Sequence, residues 1–200
     1  MANTQSQFGF KHIGFISGSA PDYQLATRQI QSSYASAIYF GDPVIKSTAS
    51  PYITLALASG LTNTSTLEGI FQGCTFIPTT GGPPQWSPWC PGSVKVDATA
   101  YIMNAPGALF LAAALLTAVP TTAIGANISF STGAGGTTTG GGFSTYVVDQ
   151  ASLGTTAATF APFQVYSMYN SVGNGSDTTS NYNWVVVTFA NQRFRQVWGQ

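Results

Sequence analysis

The sequence predicts a mainly β protein, an antiparallel β-barrel or sandwich with at most short helices, for which a jelly-roll-like arrangement is one form. Two observations support this fold class. Several short runs alternate their side chains with a period of two, which is typical of strands with one buried face. Turn residues separate these runs, with 22 glycines and 11 prolines among 200 residues. Short strands between frequent turns are typical of sandwiches and barrels.

Four segments carry the strand pattern most clearly. Three of them alternate with a period of two, and the fourth is a run of β-branched and aromatic residues, which suit the pleated surface of a sheet. We therefore predict strands at Ile53–Ala58, Val94–Asp97, Gln164–Met168 and Trp184–Phe189.

Other segments are less determined by their residues. Pro106–Leu116 is rich in helix formers and has Pro at a suitable first helical position, so a short helix and a strand fit it equally. Asp22–Ser36 has polar residues on most faces and fits a loop or an edge strand. Two segments rich in small polar residues and glycine are predicted to be exposed loops, namely Gly133–Gly142 and Ser171–Asn183.

The chain divides by composition into an arm, two β regions and a connector. Residues 1–7 are polar without a core pattern and form the predicted N-terminal arm, ordered when it meets a partner. Residues 8–77 form an N-terminal β region, and residues 92–200 a C-terminal β-barrel region. Residues 78–91, with Gly-Gly-Pro-Pro and two tryptophans, form the connector. One continuous domain is the alternative.

Charge is the most unusual property of this composition. Only 6% of the residues are charged, six basic and six acidic, against about 25% in an average domain. No charged side chain lies between Asp97 and Asp149. Free monomers stay soluble through a charged, mixed-sign surface, and this chain is also 44% hydrophobic. We therefore expect part of its surface to be covered in an assembly, with self-association as a homotrimer.

The same charges exclude several classes of partner. The basic residues are scattered and the net charge is zero, which leaves no basic patch for phosphates, so we expect no direct nucleic-acid binding. The most apolar run, Gly107–Val119, is bracketed by prolines and is shorter than the roughly 20 residues that a bilayer requires. We expect it in a core or interface, with no membrane partner. The first residues lack a secretory signal pattern, so we expect synthesis and retention in a cytoplasm.

Catalytic, cofactor and metal motifs are absent from the sequence. The single histidine, His12, has apolar neighbours typical of a strand, and the six acids are spread singly. The Gly-rich segment lacks the following Lys-Ser/Thr of a phosphate-binding loop. Cys74 and Cys90 are too few for a zinc site; they fit two buried thiols or one disulfide bridge. We predict no catalytic, cofactor or metal site, and a protein that is not an enzyme.

Aromatic residues are the remaining candidates for a functional surface. Tryptophan and tyrosine stack on sugars, and they also anchor protein interfaces together with arginine. No acid or amide is visibly paired with the tryptophans, which favours the interface. The candidate interface residues are Trp86, Trp89, Trp184, Arg193, Phe194, Arg195 and Trp198. The best part of this interface is predicted in the C-terminal half, on the strand Trp184–Phe189 and the tail that follows it.

Several motifs, in their order along the chain, resemble structural proteins of tailed-bacteriophage heads. The motifs are Ile38–Val44 after Tyr34, Gly69–Cys74, Trp89–Gly92, Ala100–Ile102, Ile124–Asn127 and Trp184–Phe194. The likeness extends over most of the chain. It departs from the pattern at Asn104-Ala105-Pro106, where acids are expected before the proline, and in the tail Arg195–Gln200.

The resemblance implies a capsid decoration, or cement, protein that is β-rich and bound to the exterior of the virion capsid. Its implied partner is the major capsid protein, and it would be made in the host cytoplasm. Two alternatives remain. One is a receptor- or carbohydrate-binding module of a tail or surface appendage, using Trp86, Trp89 or the loop Ser171–Asn183. The other is a jelly-roll protein that forms the capsid shell itself.

Overall fold

The computed structural model describes residues 3, 8–20, 25–47, 49–57, 66–132, 144–155, 161–173 and 175–192. Their strands are β1 (Lys11–Phe15), β2 (Ala26–Ile30), β3 (Ile38–Tyr39), β4 (Pro43–Lys46), β5 (Ile53–Leu55), β6 (Leu67–Phe76), β7 (Gln85–Ser87), β8 (Trp89–Cys90), β9 (Ala98–Met103), β10 (Ala108–Ala113), β11 (Asn127–Thr132), β12 (Tyr146–Asp149), β13 (Phe163–Met168) and β14 (Trp184–Phe189). Two short 3₁₀ turns lie at Thr121–Ala123 and Gln150–Ser152.

The strands form two six-stranded antiparallel sheets and one strand pair. The front sheet has the order β1-β10-β14-β13-β11-β12. The back sheet has the order β2-β9-β6-β4-β5, and β7 pairs with β6 beyond the end of β4. Strands β3 and β8 pair with each other. The predicted mainly β, antiparallel fold is confirmed in its sandwich form, and the described strands do not close into a barrel.

The sheets do not divide at the predicted connector. Strand β1, near the N-terminus, pairs with β10 of the front sheet. Strand β9 lies between β2 and β6 of the back sheet, whereas β10 to β14 lie in the front sheet. The described strands of residues 92–200 are therefore divided between the two sheets. The connector segment 78–91 itself contributes β7 and β8.

The strand predictions differ in their outcome. Strands β13 and β14 are observed where they were predicted, and β5 covers the first half of its predicted segment. The prediction for Val94–Asp97 is wrong, because the strand begins only at Ala98. Val94 N donates to Ser32 O, and Lys95 N donates to Ile77 O. Because these two hydrogen bonds go to two different segments, Val94–Asp97 does not form a regular strand ladder with either of them.

Residues 106–116, left open between helix and strand, contain the strand β10. Its residues Ala108, Phe110 and Ala112 face the core, and it pairs with β1 on one side and β14 on the other. Two neighbouring ladders satisfy the main chain, which outweighs the modest helix propensity of alanine and leucine. Strand β2 is an edge strand, which is one of the two alternatives for Asp22–Ser36.

Two hydrophobic cores lie on opposite faces of the back sheet. In β6, Ile70 points into the core shared with the front sheet, and its neighbour Phe71 points into the second core. Adjacent residues of a strand face opposite sides, so β6 is apolar on both. The second core includes Ile38 of β3 and Cys90 of β8, so the strand pair covers this face.

The uncharged stretch between Asp97 and Asp149 supplies much of these cores. Ala98, Ala100, Ile102 and Phe110 are all fully buried within one copy of the chain. The absence of charge there is therefore explained in large part by burial inside the subunit, and no longer requires a neighbouring copy. Among the described residues, no helix has the length and apolar character needed to cross a bilayer.

A buried glutamine joins the end of β14 to the back sheet. Gln192 Nε2 donates to Asn104 O at 2.8 Å and to Glu68 O at 3.3 Å. Its main chain forms a parallel bridge with Leu67. Any test of the C-terminal tail must therefore retain Gln192.

We expect Gln192→Ala to lower the free energy of unfolding by about 1–2 kcal/mol, because the buried Glu68 carbonyl oxygen and the partly buried Asn104 carbonyl oxygen lose their donor. Chemical denaturation checks this, with the exposed Gln29→Ala on edge strand β2 as the matched control. Equal stability of the two variants would contradict the assigned role.

Candidate functional site

An exposed group of aromatic rings lies at the edge formed by β7, β8 and β3. We call Tyr39, Trp86 and Trp89 the aromatic edge. Trp86 is 62% exposed and Trp89 is 38% exposed, which is unusual for residues of this size. The rings of Tyr39 and Trp89, opposite each other in β3 and β8, stack with centroids 6.0 Å apart and an interplanar angle of 16°.

A glycine of the back sheet supports Trp86. Gly73 has φ of +135°, and a Cβ there would lie 3.0 Å from ring atom Cζ2 of Trp86. The indole thus packs closely over Gly73 while much of its surface stays exposed. Tyr101 lies opposite Gly73 in β9, and its hydroxyl is 3.2 Å from Thr75 Oγ1. One part of the Trp86 ring therefore packs on the backbone of β6, and the rest is exposed.

Trp184 belongs to a separate aromatic group on the front sheet. Its ring meets Phe8 edge-on, with centroids 4.9 Å apart, and Tyr169 at 5.2 Å. Gly175 lies flat against it, since a Cβ there would fall 2.2 Å from Trp184 Cγ. A cavity of about 240 Å³ opens beside this group, lined by Phe8, Lys11, Phe40, Leu111 and Trp184. Four of the five lining residues are aromatic or aliphatic, and the fifth is Lys11.

The predicted N-terminal arm contacts the loop beside Trp184. Asn3 Nδ2 donates to Asp177 O at 2.7 Å, and Gly175 N donates to Asn3 Oδ1 at 2.9 Å. Asn3 therefore has hydrogen-bond partners within its own chain. The other residues of the arm lie outside the described part of the chain.

The candidate interface residues from the sequence fall into three groups. Trp86 and Trp89 form the aromatic edge beside the back sheet, whereas Trp184 lies in the front sheet. The tail residues Arg193, Phe194, Arg195 and Trp198 lie outside the described residues, as does the Gly-rich loop Gly133–Gly142. The structure therefore does not gather the described tryptophans into one surface.

Strand β14 is not itself an exposed interface. It lies between β10 and β13, and all its residues from Val185 to Phe189 are buried. Val186 and Thr188 face away from the core shared by the sheets, yet they are also buried within one copy. The face of β14 that points away from the shared core is therefore covered without a neighbouring copy.

A buried carboxyl group joins the two sheets, which the sequence reasoning missed. Asp42 is only 2% exposed, and burial raises the pKa of this carboxyl from 3.8 to about 7. Tyr39 N donates to Asp42 Oδ2 at 2.7 Å, and the Ser144 side chain also hydrogen-bonds to it. The signal in the sequence that could have indicated this burial is the position of Asp42 between Gly41 and Pro43, inside an apolar segment. This carboxyl group is shielded from solvent and therefore from substrates.

Main-chain bonds make the same segment a junction, which we call the Gly41–Asp42 junction. Phe10 N donates to Gly41 O at 3.0 Å, and Gly41 N donates to Phe71 O at 2.8 Å. Ser144 N donates to Phe40 O at 3.0 Å. The junction thus ties the front-sheet segments at Phe10 and Ser144 to β6 of the back sheet.

Three other described polar side chains also have structural partners. Arg28 Nε donates to the buried carboxylate of Glu68 in an ion pair. Asp97 accepts from Tyr52 Oη at 2.7 Å, a bond that lowers the pKa of Asp97. His12 lies in β1 with Nε2 3.0 Å from Gly14 O, as expected for a strand histidine. Across the described residues, no three His, Cys, Asp or Glu side chains group closely enough to hold a metal ion.

Trp86 and Trp89 of the aromatic edge are among the exposed apolar side chains of the described residues, whereas Asp42, Cys74 and Cys90 are buried. Comparison with protein-family models, with curated proteins and with solved structures finds no match to this chain.

Proposed function

We propose that this protein is a virion structural protein that decorates and stabilises the outer surface of a tailed-phage capsid, with the major capsid protein as its partner. The observation that carries the proposal is the aromatic edge, where Trp86 and Trp89 are exposed on a rigid β-sandwich. The resemblance of the motif order to phage head proteins supplies the partner.

The physics of the aromatic edge suits a protein contact. Tryptophan and tyrosine dominate the energetics of interfaces because they bury a large area with few rotatable bonds. Trp86 packs against Gly73, and Trp89 stacks on Tyr39, so each ring loses less side-chain entropy on binding than a ring without contacts would. Many copies on one shell would add weak single contacts into strong overall attachment.

Particles of the phage that encodes the chain, grown with its gene deleted, provide the test. Purified wild-type protein should sediment with these particles, and Trp86→Ala and Trp89→Ala should each weaken binding by about tenfold or more, as for interface anchors. Tyr166→Ala, which truncates a 44% exposed ring on β13 of the front sheet, is the matched control and should bind normally.

Two results would contradict the proposal. One is that the chain is absent from wild-type particles by mass spectrometry and does not bind the deleted ones. The other is that isolated protein binds an immobilised glycan and that Trp86→Ala or Trp89→Ala abolishes this binding, which would support the carbohydrate-binding alternative. If Tyr166→Ala loses shell binding while Trp86→Ala and Trp89→Ala retain it, the contact lies on the front sheet and not on the aromatic edge.

A further inference from the structure

Two cysteine thiols meet beneath the aromatic edge. Cys74 lies in β6 of the back sheet, and Cys90 lies in β8 of the strand pair that covers it. Both are buried free thiols, and their side chains lie close enough to interact. Cys74 Sγ also lies 3.5 Å from Trp89 O, and Cys90 Sγ 3.7 Å from Pro91 O. The fold brings these distant residues into contact as neighbours in the second core.

Their environment makes the two sulfurs unequal. The interaction between the two sulfurs raises the pKa of Cys74, and burial raises it further. Cys90 lies on the two-residue strand β8, so it is the sulfur that an oxidant reaches first when this strand opens. A thiolate is the reactive form of either thiol towards oxidants.

Access to Cys90 depends on a short strand. Strand β8 has two residues, and it pairs with β3 through Ile38–Cys90 and Tyr39–Trp89 alone. A two-residue ladder opens locally at low cost compared with the central strands. Hydrogen peroxide is little larger than water, so a brief opening admits it.

We propose that Cys74 and Cys90 are a peroxide-responsive pair that closes into an intrachain disulfide and fastens β8, with Trp89, to the back sheet. The Cys90 thiolate attacks one peroxide oxygen; the O–O bond breaks, and hydroxide leaves and takes up a proton as water. Cys74 sulfur then attacks the sulfur of the Cys90 sulfenic acid, and the hydroxyl leaves as water with the Cys74 proton. The two sulfurs together lose two electrons, which the peroxide gains.

The disulfide would close the segment from Cys74 to Cys90, which carries β7 and Trp86. A closed loop of this length restricts the unfolded chain and shifts the unfolding equilibrium by about a hundredfold. For a domain of this size the midpoint temperature should rise by about 5–10 °C. This inference does not rest on the proposed function, because it concerns the chain alone.

Purified full-length protein, treated with hydrogen peroxide or kept reduced, tests the inference. The oxidised wild type should lose the mass of two hydrogen atoms, should give a cross-linked peptide containing Cys74 and Cys90 without prior reduction, and should melt higher. Cys90→Ala keeps all three methionines, so the same treatment of this variant measures the effect of methionine oxidation. The melting temperature of Cys90→Ala should not rise after this treatment.

Three outcomes would overturn the proposal. Sulfinic acids on the separate cysteines, without the cross-linked peptide, would show that the thiols do not combine. Disulfide-linked dimers as the main product would show that pairing is between chains. A cross-linked wild type that melts no higher than its reduced form would show that the bridge does not fasten the edge. The mass measurements use wild-type protein, so they hold even if a variant folds poorly.

Discussion

Gly9→Ala should lower the free energy of unfolding by about 3–5 kcal/mol, a large fraction of a domain's total stability. Gly9 has φ of +69°, in the left-handed region. A Cβ there would lie 2.3 Å from Ser144 Cβ and 2.8 Å from Gly41 O. Phe10, the next residue, donates to Gly41 O, so the backbone cannot move aside without breaking a junction hydrogen bond.

Gly18→Ala is the matched control for this prediction. Gly18 has a similar φ of +79°, and no atom lies within 4 Å of the position that a Cβ would take there. Both variants share the strain of a left-handed alanine, about 1–2 kcal/mol, so the difference between them measures the collision alone. Urea denaturation of both variants gives this difference. Equal destabilisation would contradict the close packing of Gly9 against Ser144.

The free energy of unfolding should fall as the pH rises from about 4 to about 7, because Asp42 ionises at a higher pH in the folded protein than in the unfolded chain. Burial raises its pKa from 3.8 to about 7, so the folded state binds the proton more tightly than the unfolded chain. Its contribution to stability is complete below the unfolded pKa and is lost as the pH passes through the folded value. At pH 8 the ionised carboxylate is buried, at a cost on the order of a few kcal/mol.

Asp42→Asn should remove most of this pH dependence. The amide is uncharged, keeps the shape of the carboxyl group, and its oxygen can still accept from Tyr39 N. The variant should therefore exceed the wild type in unfolding free energy at pH 8 and match it more closely at pH 4. Denaturation curves at several pH values between 4 and 8 check both points.

Asp177→Asn is the control, because Asp177 has the opposite perturbation. Hydrogen bonds from Ser180 and Thr179 hold the pKa of Asp177 well below its usual range, so its ionised form stabilises the loop over this whole pH window. The slope due to Asp42 should persist in this variant. A flat wild-type profile between pH 4 and pH 7, or an Asp42→Asn variant that is less stable at pH 8, would contradict the assignment.

The fold class was predictable because it depends on local features. The β-branched run Trp184–Phe189 and the alternating run Gln164–Met168 carry their strand character in their own residues, and both are strands. Strand β6 shows where local patterns end. Its faces are buried in two different cores, and Gly69, Gly73, Glu68 and Gln72 interrupt any period of two. A strand that is covered on both sides has no alternation to detect.

The residue types of the candidate site could be predicted from the sequence. Their exposure and their contacts with one another could not. The sequence alone identified the mainly β fold, the scarcity of charge and the tryptophans Trp86 and Trp89 as candidate contacts. Only the tertiary structure decided that these two are exposed, that Trp184 lies on the other sheet, and that Cys74 meets Cys90. Composition and periodicity report which faces prefer burial, which is a property of short segments. Exposure and side-chain contact depend on which distant strands pair, and β6 must meet β4, β7 and β9 before any of these positions is defined.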